Sequence, residues 1–307
     1  MQARLPFRGM MAATFTPFKA DGSLKLDVIP TYANYLREKG VKGIWVCGTA
    51  GEGMSLTMAE RKAQTEAWLK HKDDISTIII QCGAGSLKDT QELASHAEKA
   101  GANGVSVLPN LFDKPKSTEE LVEYMAEVAK ACPKTPLFYY HIPMKTDVRL
   151  SMSEFLTKGV ARIPTLSGLK FTDHDVRGEG YKCLQVDNGS LTILNGFDET
   201  LQEAIGLGFT SAVNVGFNLF PHLGAQMFSL MEAKNEAEAI KIQEQVVRYL
   251  EAIFKQTGGF SVSSVKTAGS LLTGLDFGPT RLPNKPFKDS MIDALRNDLK
   301  NLSLQVY

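Results

Sequence analysis

The 307-residue sequence has no excess of either charge, since 34 lysines and arginines balance 34 aspartates and glutamates. No stretch concentrates basic residues, and nucleic acids or anionic membrane surfaces are bound through such patches, so we expect neither partner. The sequence also lacks an apolar stretch of membrane-spanning length, and its start lacks the basic and apolar regions of a secretory signal. We therefore expect a soluble, cytoplasmic protein.

Cysteine is sparse, and its four positions are far apart. Cys47, Cys82, Cys132 and Cys183 form no C-x-x-C pair, and none has a histidine nearby at metal-ligand spacing. This spacing argues against a cysteine-based metal site. We expect reduced thiols in the core, where a small thiol packs like an apolar side chain.

No proline-rich or polar linker interrupts the chain, in which short apolar runs alternate with helical patterns. The runs expected to be strands are Met11–Phe15, Ile44–Cys47, Ile78–Cys82, Gly104–Leu108, Leu137–Tyr140, Leu166–Lys170, Leu191–Leu194 and Ser211–Asn214. These alternations favour a closed (β/α)8 barrel of parallel strands over an open sheet. We expect residues 1–218 to form the barrel core. Residues 219–307 are expected to add the last barrel helix and a C-terminal helical extension, in one structural unit with the barrel.

In such a barrel, the residues at the carboxyl ends of the strands meet at one rim. Thr49 follows the second expected strand, Tyr140 ends the fifth and Lys170 ends the sixth, while Asp198 and Glu199 follow the seventh. The rim is therefore expected to carry a hydroxyl, a phenol, an amine and two carboxylates.

Lys170 is the most informative of these residues, because it ends an apolar run that we expect to be buried. Burial disfavours a charged ammonium, so a buried lysine tends to have a lowered pKa and can attack a carbonyl carbon as a neutral amine. The alternative is a lysine that extends its stem to reach water. The phenol and the hydroxyl expected at the same rim favour Schiff-base chemistry.

Three glycines surround Thr49 in the turn Gly48-Thr49-Ala50-Gly51-Glu52-Gly53, directly after a strand. Backbone amides in such a turn can donate to an anion such as a small carboxylate, with the Thr49 hydroxyl as a further donor. A purely structural turn is the alternative. Asp198 and Glu199 have an alternative role too, since acidic residues at a helix start interact favourably with the helix dipole.

Three motifs occur in order at the expected strand ends: Gly48-Thr49-x-Gly51-Glu52, Tyr140-x-Ile142-Pro143 and Gly168-Leu169-Lys170-Phe171-Thr172. In these motifs the chain resembles the dihydrodipicolinate synthase/N-acetylneuraminate lyase family of pyruvate-dependent Schiff-base enzymes, over nearly its whole length. Asn195-Gly196-Phe197-Asp198-Glu199 resembles the lyase branch, particularly its animal members. The resemblance implies a class I aldolase on a TIM barrel that cleaves N-acetylneuraminate to pyruvate and N-acetylmannosamine without a metal or organic cofactor.

The resemblance also implies a role for each candidate site residue. Lys170 would form the Schiff base, and Tyr140 would transfer protons. The implied substrate-binding residues are Thr49 and the amide of Ala50 for the pyruvate carboxylate, Thr172 for the region of the C4 hydroxyl, and Gly196, Asp198 and Glu199 for the sugar tail. Because the family usually forms tetramers, we expect a homotetramer that acts on a small sugar acid.

Several positions depart from the pattern of the lyase branch. Ala50 replaces a second hydroxyl, Val215 replaces a serine, and Lys145 stands where synthases carry an arginine and lyases an apolar residue. Asn110-Leu111-Phe112 lacks the tyrosine that synthases lend to a neighbouring subunit, which argues against synthase activity. The alternatives are a 2-keto-3-deoxy sugar acid aldolase, a dihydrodipicolinate synthase-like enzyme, and a catalytically idle ligand-binding barrel.

Overall fold

The computed structural model describes residues 4–307, in which parallel strands close into one barrel. Each strand pairs with the next in chain order, and β1 also pairs with β8. The strands are β1 Gly9–Ala13, β2 Gly43–Val46, β3 Thr77–Gln81, β4 Gly104–Val107, β5 Leu137–His141, β6 Leu166–Phe171, β7 Thr192–Asn195 and β8 Ser211–Asn214. The predicted (β/α)8 barrel is confirmed.

Helices surround the barrel and continue beyond its last strand. The α-helices are α1 Ile29–Glu38, α2 Met58–Leu69, α3 Leu87–Ala100, α4 Thr118–Ala129, α5 Pro143–Thr146, α6 Met152–Arg162, α7 Tyr181–Gln185, α8 Leu201–Leu207, α9 Gly216–Leu219, α10 Pro221–Glu232, α11 Glu236–Phe254, α12 Val262–Thr273 and α13 Asp289–Asn301. Short 3-10 helices lie at Leu26–Val28, Gly53–Ser55, Val186–Gly189 and Asp198–Thr200, and a π-helix at Val176–Gly180.

The first strand begins and ends two residues earlier than its sequence pattern indicates. The apolar run Met11–Phe15 was expected to be the strand, whereas the paired segment is Gly9–Ala13. Phe15 is buried beyond the strand end, where its ring contacts the rings of Tyr32 and Phe277. The apolar pattern therefore indicates which residues are buried, and burial continues beyond the last residue that pairs in the strand.

Alternation along β5 and β6 decides which side chains reach the barrel interior. Tyr140 pairs with Lys170 in register, and both line the interior cavity. Tyr139 points the other way, where its ring lies 5.2 Å from that of Phe155 in α6. Of the two adjacent tyrosines, only Tyr140 faces the axis, as the period of two in a strand requires.

The helices after β8 return to the carboxyl end of the barrel. The helix α11 packs against α10 and against the turn Asp198–Thr200 that follows β7. Gln243 of α11 donates a hydrogen bond to the backbone oxygen of Asp198 at 2.9 Å. This arrangement brings residues from the last third of the chain to the rim where the strands end.

Candidate active site

The amine of Lys170 lies inside the barrel, close to two aromatic rings. The residue is 4% exposed, and its Nζ atom lies 4.5 Å from the ring centroid of Tyr140 and 5.5 Å from that of Trp45. Ring faces carry negative charge density, so they favour a cation at this distance. The site can therefore stabilise a positively charged derivative of that amine.

The hydroxyls of Thr49 and Tyr140 lie 3.1 Å apart and form a hydrogen bond. Thr49 and Ala50 both line the cavity that contains Lys170, as predicted from their turn. The turn is tight, because a Cβ atom at Gly53 would lie 1.9 Å from the backbone oxygen of Cys47. Only glycine fits there, so the short loop that presents Thr49 depends on Gly53.

A second set of polar groups lies across the cavity, after β6 and β7. Thr172 is 4% exposed, and its hydroxyl has no hydrogen-bond partner among the residues from 4 onward. The backbone of Gly196 lies against this hydroxyl, since a Cβ atom there would be 2.0 Å from Thr172 Oγ1. A buried hydroxyl without a protein partner is available to a bound ligand.

Asp198 is the most perturbed acid of the site. It is 6% exposed, and both of its carboxylate oxygens accept a hydrogen bond from the backbone N–H of Gly216 at 3.1 Å. Burial and, to a smaller extent, the neighbouring Glu199 raise its pKa to about 7, although the Gly216 amide and Lys170 partly oppose the shift. The carboxyl group therefore changes protonation near neutral pH, inside the cavity.

All the predicted site residues line one void, whose volume is about 790 Å³ with its open mouth included. They are Thr49, Ala50, Tyr140, Lys170, Thr172, Gly196, Asp198 and Glu199. Their roles are not fixed by position, but the sequence-based expectation that four strand ends meet at one rim is confirmed. Lys145 and Val215, which depart from the lyase pattern, line the same void.

Sequence reasoning missed an apolar wall on one side of the void. Leu250 and Phe254 of α11, and Phe260 of the loop after it, complete the lining. The first two are four residues apart, so helical periodicity places them on one face. Periodicity gives no indication of which surface that face covers, and the wall was therefore not predictable.

The two histidines near the rim lie in different environments. His174 lines the void and stacks on Phe197, with ring centroids 4.4 Å apart. His141 is buried, and its Nε2 atom lies 3.5 Å from a carboxylate oxygen of Asp173, whose pKa is lowered by the hydrogen bond to His141. Neither belongs to a cluster of three potential metal ligands, and the part of the chain from Arg4 onward contains no such cluster.

The four cysteines are free and buried, as expected. Burial raises the pKa of each thiol, so these residues are inert at neutral pH. Among the helices of residues 4–307, none is long and apolar enough to cross a membrane.

An amine, a phenol and a hydroxyl that share a void at the carboxyl end of a parallel (β/α)8 barrel define a class of protein. It is a barrel that can act on a carbonyl compound through its lysine. The model of the Dihydrodipicolinate synthetase family matches residues 6–302. The chain therefore belongs to this family, and the resemblance stated from its three motifs is confirmed.

The relatives of this chain include proteins from animals and bacteria. The N-acetylneuraminate lyase of Pongo abelii is 39% identical over 297 residues, which cover 96% of this chain and 92% of the relative. The solved structure of the Aliivibrio salmonicida N-acetylneuraminate lyase (sialic acid aldolase) matches with a TM-score of 0.91, at 33% identity and 97% coverage of each chain. The Proteus mirabilis N-acetylneuraminate lyase also gives a TM-score of 0.91, at 32% identity, with 97% of this chain and 99% of that chain covered.

Proposed function

We propose that the protein is a class I aldolase that cleaves N-acetylneuraminate to pyruvate and N-acetylmannosamine. The observation that carries this proposal is the buried amine of Lys170, whose Nζ atom lies 4.5 Å from the Tyr140 ring centroid in a void at the rim. The identity to N-acetylneuraminate lyases over nearly the whole chain supports the choice of substrate.

The first step joins the neutral amine of Lys170 to the C2 ketone of the open-chain substrate. Addition gives a carbinolamine, and loss of water gives a protonated imine. This cation forms beside the rings of Tyr140 and Trp45, whose faces favour positive charge. The imine then accepts the electron pair of the bond that breaks.

The second step breaks the C3–C4 bond. Tyr140 gives its own proton to the substrate carboxylate and takes the proton of the C4 hydroxyl, and the C4 carbon leaves as the aldehyde of N-acetylmannosamine. The electron pair of the broken bond forms the C2=C3 double bond of an enamine, and the proton held by the carboxylate is available for the later protonation of C3. Protonation of C3 and addition of water then release pyruvate and restore the amine of Lys170. Neither step requires a metal or an organic cofactor.

The turn at Thr49 is proposed to hold the carboxylate of the keto acid. The Thr49 hydroxyl and the Ala50 amide would donate to it, and Thr49 already bonds the hydroxyl of Tyr140 at 3.1 Å. One residue thus contacts both the acid–base group and the substrate end. Such contacts orient the scissile bond across the imine plane, which is a contribution from positioning.

The sugar tail is proposed to lie along Gly196, Asp198 and Glu199, with Thr172 near the C4 hydroxyl. Asp198 and the unpartnered Thr172 hydroxyl supply buried polar atoms for a polyol. The apolar wall from α11 lies in the same void and fits carbon-rich parts of the substrate.

Borohydride reduction in the presence of pyruvate tests the chemistry, because it converts an imine to a stable amine. We expect peptide mass spectrometry to find the reduced pyruvate adduct on Lys170. Lys145 lines the same void and serves as an internal comparison. An adduct on Lys145 alone, or no adduct at all, would overturn the proposal.

The protein is further proposed to be a homotetramer. Family resemblance supports this, and so do large apolar side chains on the surface, with Phe112 93% and Leu282 74% exposed. Side chains of this kind fit surfaces that neighbouring copies cover. Sedimentation velocity should give the mass of four chains, and a monomeric mass at micromolar concentration would contradict it.

A cytoplasmic location is also proposed. The four free, buried cysteines support it, because a reducing compartment keeps thiols unpaired. Cell fractionation with an antibody to the chain should recover it with cytosolic markers, and recovery with an organelle would refute this assignment.

A further inference from the structure

Glu52 belongs to the turn that carries Thr49 but does not line the void, and its side chain is fully enclosed. Its side chain is 0% exposed, and its backbone adopts a left-handed conformation with φ of +51°. A non-glycine residue in that region is disfavoured by about 1 kcal/mol or more. The surrounding contacts must therefore hold Glu52 in place.

Those contacts come from the C-terminal third of the chain. Lys266 of α12 donates from Nζ to Oε1 of Glu52 at 3.0 Å, and the backbone N–H of Arg281 donates to Oε2 at 2.9 Å. Lys266 also donates to the backbone oxygen of Pro279 at 2.8 Å. Both carboxylate oxygens of Glu52 are thus occupied by residues more than two hundred positions away.

An aromatic ring completes the surroundings of Lys266. Its Nζ atom lies 4.2 Å from the ring centroid of Phe18, and the guanidinium carbon of Arg281 lies 4.3 Å from the same centroid. Arg281 is held in turn by Glu60 and by backbone oxygens of Gly22 and Ser55. Burial lowers the pKa of Lys266 to about 8, although Glu52 opposes the shift.

Stability alone does not account for a buried pair of this kind. Taking two charges out of water costs several kcal/mol for each ion, and apolar residues of similar size often serve a fold equally well. A buried charge pair does, however, fix a geometry, because each partner tolerates few other arrangements. A role in positioning is therefore the better explanation of the Lys266–Glu52 pair.

The group that the pair positions is the proposed carboxylate-binding turn. The backbone N–H of Glu52 donates to the backbone oxygen of Thr49 at 3.1 Å, and the Thr49 hydroxyl bonds Tyr140 at 3.1 Å. Hydrogen bonds thus link Lys266 to the Glu52 side chain, the Glu52 backbone to the Thr49 backbone, and the Thr49 side chain to the phenol, while covalent bonds within Glu52 and Thr49 complete the connection. A shift of Glu52 would move the donors that face the keto acid.

We propose that Lys266 is a positioning residue that holds the Thr49–Ala50 turn, through Glu52, in the geometry that binds the carboxylate of a 2-keto acid. The inference rests on the proposed function, since it assigns Lys266 a part in the same pyruvate site. It places a determinant of keto-acid affinity in the C-terminal extension, outside the void.

The test measures borohydride trapping of pyruvate in the full-length protein as the pyruvate concentration is raised. In Lys266→Met, the concentration at half-maximal trapping should rise about ten- to hundredfold, because small displacements of binding groups cost this much. Trapping at saturating pyruvate should stay complete, since the amine of Lys170 is intact. Partial unfolding would instead lower the maximum and leave the midpoint unchanged, and that result would overturn the proposal.

Glu52→Gln is the second variant, because it is isosteric, removes the charge and replaces one of the two acceptor oxygens by an amide donor. It should raise the midpoint by a similar factor, and the double variant should be no worse than the more affected single variant, because the two residues act as one unit. An unchanged midpoint in Glu52→Gln would overturn the proposal even if Lys266→Met does not fold. So would fully additive effects in the double variant.

Lys25→Met is the matched control. Lys25 donates a hydrogen bond to Asp276 of the C-terminal segment at 2.6 Å but does not touch the turn. The pyruvate concentration at half-maximal trapping in Lys25→Met should therefore equal that of the wild type. A shift as large as that of Lys266→Met would refute a specific role for Lys266. If the wild-type protein traps no pyruvate at all, the proposed function fails, and this outcome is distinct from failure of the positioning role.

Discussion

The two ends of the void are built in different ways. At the end proposed to bind the keto acid, Lys170 and Tyr140 stand on paired strands, and Thr49 follows a third strand in a tight turn. At the end proposed to bind the sugar, Asp198 starts a short helix after β7, and Phe254 comes from a helix of the C-terminal extension. Strand register fixes the first end, whereas loops and a distant helix form the second.

Because of this difference, the groups proposed to carry the reaction and the groups proposed to select the substrate are held by different parts of the fold. The reactive groups are placed by the hydrogen-bonded barrel, which leaves them little freedom. The polar and apolar groups proposed to bind the sugar lie on segments that can vary in sequence without disturbing the strands. We therefore expect substitutions at the first end to stop the reaction and substitutions at the second to change affinity.

The largest effect is expected for Lys170→Ala, which removes the nucleophile. Cleavage of N-acetylneuraminate, measured as pyruvate release, should fall by a factor on the order of a thousand or more. Trapping of pyruvate by borohydride should disappear. Lys145→Ala is the control, since it removes an amine from the same void, and it should keep its trapping. A trapped adduct in Lys170→Ala would contradict the assignment of the nucleophile.

Tyr140→Phe should produce the next largest effect. It should separate formation of the Schiff base, which persists, from cleavage of the carbon–carbon bond, which slows. Turnover is expected to fall by a factor on the order of hundreds, because the phenol transfers protons in the bond-breaking step. Borohydride trapping should persist, because the amine remains. The rate is measured with saturating substrate, and a rate near that of the wild type would exclude Tyr140 from proton transfer. Tyr139→Phe, whose ring faces α6, is the matched control.

At the sugar end, Asp198→Asn should raise the KM for N-acetylneuraminate about tenfold, since one charged hydrogen bond to the polyol is lost. The pyruvate concentration at half-maximal borohydride trapping should not change. Because the pKa of Asp198 is about 7, the affinity of the wild type should decline as pH falls through 7, and the variant should lack this decline. An identical pH profile in both proteins would remove Asp198 from sugar binding.

The same substitution has a consequence for stability. A folded pKa near 7 lies above the usual 3.8, so the folded protein binds this proton more tightly than the unfolded chain between about pH 4 and 7. The free energy of unfolding contributed by Asp198 therefore falls as pH rises through that range. Asp198→Asn should be more stable than the wild type above pH 7, by about 2 kcal/mol in denaturant titrations. Lower stability at pH 8 would count against the raised pKa.

The smallest effect is expected for Val215→Ser, beside Asp198. A hydroxyl at this position, which lines the void, should lower the KM for N-acetylneuraminate about threefold by adding one hydrogen bond. Steady-state kinetics measures the change, with the pyruvate midpoint as the internal control. A rise in KM would indicate that the substrate presents carbon rather than oxygen to Val215.

The sequence was sufficient to predict the barrel and the meeting of Lys170, Tyr140 and Thr49 at one rim, because both follow from local patterns. Eight alternations of strand and helix predict the closed barrel. In such a barrel, the residues that directly follow each strand lie at the shared carboxyl-terminal rim. Strand bounds were less certain, as in β1, where the buried Phe15 lies beyond the paired residues. Residues inside a strand are both buried and paired, whereas residues just beyond its end can be buried without being paired, so an apolar pattern does not locate the end of the strand.

Contacts between distant segments could not be read from the sequence. Lys266 and Glu52 are separated by 214 positions, and neither residue alone indicates the other. One signal was present, because Lys266 is a lone charge in the helix Val262–Thr273, whose other residues are apolar, small or hydroxylated. A charge in such a helix requires a partner, although the sequence does not say which one.

The pairing of β1 with β8 has a consequence for the nascent chain. While the protein is being synthesised, one edge of the strand Gly9–Ala13 stays unpaired until its partner strand Ser211–Asn214 has left the ribosome. Lys266 emerges later still, so a prematurely terminated chain could close its sheet yet leave Glu52 without its cation. If Lys266 holds the turn as proposed, the pyruvate site takes its binding geometry only after synthesis has passed the helix Val262–Thr273, and chains that end before this helix would bind pyruvate weakly.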